Sequence, residues 1–128
     1  MYTSNAYNIY KNNSINFASK EQLLVMIVDA ASKDAKIARQ AIIDKDIKKS
    51  HEYIMKTEDI YNELISSLDL SKSGEWGIKM KMVYEFIIRR LVQANIKKDA
   101  KILDEIIPLI ENIKDTWEQA YKISKGAK

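Results

Sequence analysis

Apolar residues recur along the chain at steps of three and four, the spacing that gathers them on one face of an α-helix. The first such face runs through Leu24, Ile27, Val28, Ala31, Ala35, Ala38 and Ile42. Just before it, Ser19-Lys20-Glu21-Gln22 has the form of a capping box, with Gln22 placed to return a hydrogen bond to the cap. Much of this face is alanine, so a neighbouring backbone can come close. Asp44-Lys45-Asp46 reads as a short turn, and Asp46 can cap a second helix predicted over about 47–68. Its apolar positions are Ile47, Ile54, Tyr61, Leu64 and Leu68, with Tyr53, Ile60 and Ile65 beside them. The stretch LDLSKSG, Leu68 to Gly74, is the longest loop signal in the domain.

A third helix is predicted from about Glu75 to Ala94, with Asn95 in the left-handed cap position and Ile96 folding back on Leu91. Asp99 caps a fourth, which carries Leu103, Ile106, Ile110, Ile113, Trp117 and Ala120 toward a core. Pro108 interrupts that pattern and predicts a kink without a break, since the period continues past it. Residues 1–18 are rich in Asn and Tyr and hold no sustained period, so they read as an irregular arm. Four amphipathic helices joined by short loops predict an all-α fold, an antiparallel up-down four-helix bundle over 19–128 preceded by that arm.

The third helix carries more apolar surface than a bundle position requires. On a wheel at 100° per residue, Trp76, Met80, Val83, Tyr84, Ile87, Leu91 and Ala94 form one stripe. Ile78, Met82 and Phe86 form a second, turned from the first by well over a right angle, and Arg89 continues it. Either this helix is central and buries both stripes against two neighbours, or the second stripe waits for a partner. On the second reading Ile78, Met82 and Phe86 form a binding surface. Arg89 then stands on its rim, its stem packed on apolar groups and its guanidinium free for a carboxylate.

Composition narrows the function classes. Only 3 Gly and 1 Pro occur in 128 residues, which favours long helices over sheets and their turns. The net charge of +3 is spread along the chain without the dense basic stripe that nucleic acid requires. No cysteine is present, which suits a reducing compartment. The longest apolar run, Leu23 to Val28, is far too short to insert across a bilayer, and MYTSNAYNIYKNN lacks the pattern of a secretory signal. These features predict a soluble cytoplasmic protein. His51 stands alone, with no Glu-x-x-His pair, no Gly-rich phosphate loop and no nucleophile elbow, so neither a metal, a cofactor nor a catalytic site is expected.

The segment VYEFIIRRLVQANIKKD, Val83 to Asp99, resembles the signature of the FliS family of flagellar export chaperones. Tyr84, Arg89, Arg90, Leu91, Ala94 and Asn95 match it by identity, and Val83, Glu85 and Phe86 are conservative replacements. The likeness continues in NAYNIY (Asn5 to Tyr10), in KTEDIYNELISSLD (Lys56 to Asp69), at Gly74-Glu75 and at Trp117. The chain departs from the pattern at Ile27-Val28-Asp29-Ala30, which lacks the usual tyrosine, and at Trp76-Gly77 after Gly74-Glu75.

The resemblance implies a protein that is not an enzyme and uses no cofactor. Such a protein binds the disordered C-terminal segment of flagellin, prevents premature polymerisation in the cytoplasm and presents the client to the flagellar export gate at the membrane. It also implies a role for the arm, in which Tyr7, Ile9 and Tyr10 form a lid over part of the client groove. An arm permanently docked to complete the core is the alternative. The alternative to a flagellin client is a structural module that uses its extra stripe to form a homodimer.

Overall fold

The computed structural model describes residues 19–126, which form four α-helices. They are α1 (Lys20–Ile43), α2 (Ile47–Ser67), α3 (Leu70–Lys97) and α4 (Ala100–Gly126). Connections of two or three residues oblige successive helices to run antiparallel. The helices close a ring: α1 packs on α2 and α4, and α3 packs on the same two helices from the other side. No backbone approach joins α1 to α3 or α2 to α4. This is the all-α helical bundle that the apolar periodicity predicts. The arm, with Tyr7, Ile9 and Tyr10, lies outside the described residues.

The caps form where the sequence places them. The Ser19 hydroxyl accepts from the Gln22 amide while the Gln22 side chain accepts from the Ser19 amide, completing the box. Asp46 accepts from the Lys49 amide and Asp99 from the Lys101 amide. Along α1, Ile27, Val28, Ala31, Ala35 and Ala38 are buried, and Ala30 and Ala41 add a second line of small side chains. Small residues on both flanks let α2 and α4 approach α1 closely. The outer edge of the α1–α4 seam is closed by charge: Lys36 meets Glu111, Arg39 meets Asp104, and Lys114 lies 3.7 Å from Asp29. Ile54, Tyr61, Leu64, Tyr84, Ile87, Leu91, Leu103, Ile106 and Ile110 fill the centre. The Tyr61 and Tyr84 rings meet across α2 and α3 at 5.7 Å.

Local details depart from the sequence reading, each for a physical reason. Ile47 is exposed, because it opens α2 at the end of the bundle where no other described helix covers it. The stretch expected as a loop holds one helical turn, Leu70–Ser73, capped by Asp69. Gly74 then breaks the helix with φ 60° and ψ −138°, a conformation that side chains strongly disfavour. At Gly77 a Cβ would collide with the Ser73 side chain, so this glycine lets the first turn fold onto the rest of α3.

At the other end α3 continues past Asn95 to Lys97, and Lys98 takes the left-handed position instead (φ 50°, ψ 48°). Asn95 stays helical because its side chain is engaged, with Nδ2 2.9 Å from His51 Nδ1 and Oδ1 accepting from Lys98 Nζ. Ile96 is exposed instead of folding back on Leu91. Pro108 sits within α4, which runs through it to Gly126.

The alanine face of α1 makes a direct demand on packing. Ala35 has no exposed surface, so Ala35→Leu must push α2 or α4 outward. Its expected cost is about 1–3 kcal/mol of folding stability, read as a lower urea midpoint at unchanged slope.

Candidate functional site

The buried side chains of Tyr84, Ile87, Leu91 and Ala94 define the core direction of α3. The second stripe points the opposite way. Ile78 is 51% exposed, Met82 62% and Phe86 37%, so both neighbours are satisfied by the core-facing half of the helix. The reading in which α3 is central and buries both stripes is therefore excluded. The stripe is also longer than the sequence analysis made it. Val92 (39% exposed) and Ile96 (77%) extend it. Ile96 lies eighteen residues, or five full turns, beyond Ile78 and faces the same way, giving a ridge about 27 Å long. That spacing is the available signal, and the expectation of a cap contact for Ile96 hides it. An exposed apolar ridge of this kind is a candidate interaction surface.

The two adjacent arginines have different roles because one helical step turns the side chain by about 100°. Arg90 points to α4, where Nη2 donates to Glu105 Oε2 at 2.7 Å and Nη1 donates to Gln93 Oε1 at 2.6 Å. It ties α3 into the bundle. Arg89 lies in line with the exposed ridge, and among the described residues it makes no hydrogen bond or ion pair. Glu85 flanks the same ridge, half-exposed and only loosely held by Lys81 at 4.0 Å. The structure thus brings Ile78, Met82, Phe86 and Arg89 onto one surface.

One end of the bundle is aromatic. Trp76, expected in the core stripe, is half-exposed and sits edge-on against Trp117 at 6.4 Å. The turn at Gly74 leaves it at the rim. Trp117 Nε1 donates to the buried Tyr84 Oη at 3.3 Å. Two mainly apolar cavities flank the tryptophan pair. One of 270 Å³ is lined by Leu24, Leu64, Leu68 and both tryptophans. The other, of 240 Å³, is lined by Met80, Val83, Leu109, Ile113 and the same pair.

Burial perturbs several charged groups among the described residues. Burial pushes the Glu58 carboxyl up to about 7, helped by neighbouring Asp59. Asp34, in a groove of 370 Å³ with Met26, Ile37, Tyr53 and Lys56, is pushed by burial to about 6 against the pull of Lys56. Glu111 moves the other way, held down chiefly by its hydrogen bond from Lys36. His51 is exposed and faces Asn95. Among the described residues no group of His, Asp and Glu could hold a metal ion, and no helix is long and apolar enough to cross a membrane.

Among the described residues the chain is a closed helical bundle with an exposed apolar stripe on α3. Comparison with known proteins makes that class specific. The family model for the flagellar protein FliS matches residues 3–124, and the chain belongs to this family. The flagellar secretion chaperone FliS of Bacillus subtilis (strain 168) is 34% identical over 120 residues, covering 94% of this chain and 89% of the relative. The flagellar secretion chaperone FliS of Salmonella typhimurium is 33% identical over 124 residues, covering 93% and 92%. That of Campylobacter jejuni is 26% identical over 121 residues, covering 94% of each.

The raised carboxyls predict a pH dependence. Asp34 and Glu58 bind protons more tightly in the folded state than at their ordinary values near 4. Their favourable contribution is therefore complete below about pH 4 and is lost as pH rises through about 6 and 7. Glu111 opposes this only near and below its own ordinary range. The melting temperature should be higher at pH 5.5 than at pH 8, and Glu58→Gln should flatten the difference.

Proposed function

We propose that this chain is a cytoplasmic export chaperone that binds the C-terminal segment of flagellin, delays its polymerisation and delivers it to the flagellar export gate. The observation that carries this reading is the exposed ridge on α3, in a member of a family whose relatives are named flagellar secretion chaperones. Its role is binding, not catalysis. An amphipathic client segment lays its apolar side on Ile78, Met82 and Phe86 as a helix on a groove. Arg89 meets a client carboxylate at the rim. Ordering a disordered client costs about 2–5 kcal/mol, which favours a long ridge over a single pocket.

Mixing the protein with a flagellin C-terminal peptide should raise helix content above the sum of the parts, by circular dichroism. Calorimetry should give a negative heat-capacity change. Tight binding without added helix would contradict coupled folding. We also propose that residues 1–18, with Tyr7, Ile9 and Tyr10, compete with the client for part of its groove. Deleting residues 2–17 should then tighten or speed client binding, whereas a loss of stability alone would assign the arm to the core.

Phe86→Ala separates binding from folding. On a partly exposed face it should change stability by only about 0.5 kcal/mol. It should weaken the client complex by about 2 kcal/mol or more if Phe86 is an anchor. Loss of stability with unchanged client affinity would refute the site. Arg89→Ala should weaken the complex less, and binding by the unsubstituted chain should fall with added salt.

A further inference from the structure

Two turns close the same end of the bundle, Asp44-Lys45-Asp46 between α1 and α2 and Lys98-Asp99 between α3 and α4. The 2.9 Å contact of Asn95 with His51 ties α3 to α2 at that end. Six lysines gather there: Lys45, Lys48, Lys49, Lys97, Lys98 and Lys101. Among the described residues none of the six forms an ion pair, whereas Lys36 and Lys114 of the α1–α4 seam do. Most carboxylates at this end are engaged locally. Asp46 and Asp99 accept from backbone amides in the first turns of α2 and α4, and Asp44 accepts from the Gln40 side chain. Exposed hydrocarbon lies among the lysines, with Ile43 49% exposed and Ile47 67%.

Helix stability accounts for only part of this arrangement. Lys45, Lys97 and Lys98 suit the negative C-terminal ends of α1 and α3. Lys48, Lys49 and Lys101 stand in the first turns of α2 and α4, where the backbone dipole disfavours a cation. Nor does the fold use the outward surface of Ile43 and Ile47. Cations set around apolar side chains complement a surface that places phosphate groups above hydrocarbon. A nucleic acid would meet the lysines with its phosphates but would leave the isoleucines in water.

We propose that this end of the bundle docks on anionic lipid bilayers, with its lysines on the lipid phosphates and Ile43 and Ile47 in the interfacial layer. The docking is peripheral, since no helix among the described residues is long and apolar enough to cross a membrane. Docked end-on, the bundle stands with its helices along the bilayer normal, and most of the α3 ridge stays open to the side. This goes beyond the client reading and needs no flagellin.

The test is cosedimentation of the intact chain with vesicles at low salt. One set is phosphatidylcholine alone, and the other holds phosphatidylcholine and phosphatidylglycerol in equal parts. Binding should be at least about tenfold tighter to the anionic set and should be lost in about 1 M salt, where charges are screened beyond about 3 Å. The pair Lys48→Glu and Lys97→Glu should weaken binding to anionic vesicles about tenfold or more. A control pair with the same change of net charge, Lys79→Glu and Lys122→Glu, falls at exposed positions away from this end. It should stay within about threefold of the unsubstituted chain. Ile47→Ser should weaken binding about threefold or more and leave its salt dependence in place. Circular dichroism should confirm the fold of every variant. Equal binding to both vesicle sets, a control pair as damaging as the first, or no effect of Ile47→Ser would overturn the docking. Duplex DNA or polyglutamate bound as tightly as anionic vesicles would assign the lysines to a soluble polyanion and overturn the lipid partner.

Discussion

A helix in a four-membered ring touches two neighbours, and two neighbours cover only about half of its circumference. This limit governs the molecule. On α3 the covered half is filled by Tyr84, Ile87, Leu91 and Ala94, all without exposed surface. Nothing in the ring remains to receive Ile78, Met82, Phe86, Val92 and Ile96. The other side of the bundle shows the ordinary solution, where the α1–α4 seam ends in ion pairs of Lys36, Arg39 and Lys114 with acidic partners. The α1–α4 seam therefore ends in charge, while the outward face of α3 carries exposed hydrocarbon among the described residues.

The adjacent arginines follow from the same geometry. Arg90 falls on the flank of the covered half and turns its charge inward to Glu105, where it holds α3 to α4. Arg89, one step on, falls on the uncovered half. A lysine there would present a strongly hydrated point charge, whereas a planar guanidinium can lie on apolar neighbours and keep its donors for a carboxylate. The charge placed among the greasy residues is therefore compatible with the apolar surface around it.

Most of the architecture was legible in the sequence because it rests on local signals. The caps at Ser19, Asp46 and Asp99 and the buried faces of α1, α2 and α4 depend on spacing and side-chain chemistry that a sequence displays directly. The second stripe was legible too, but not its exposure, since periodicity on one helix says nothing of how many neighbours surround it. Where local preference met a tertiary contact, the contact won. Asn95 favours a left-handed cap, yet its contact with His51 keeps it in the helix and moves the cap to Lys98. The use of Gly74 and Gly77 depends on a folded-back turn, which only three-dimensional packing reveals.

An exposed ridge about 27 Å long is useful to a client-binding protein and hazardous in its absence, because it can stick to anything apolar. Glu85 and Arg89, standing on the same ridge, limit that hazard, because a charge set among apolar side chains penalises a partner that offers it no opposite charge. Under the function proposed for this chain, a segment that reached beyond α3 to the cavities beside Trp76 and Trp117 would gain apolar contact that a partner confined to one helix face lacks.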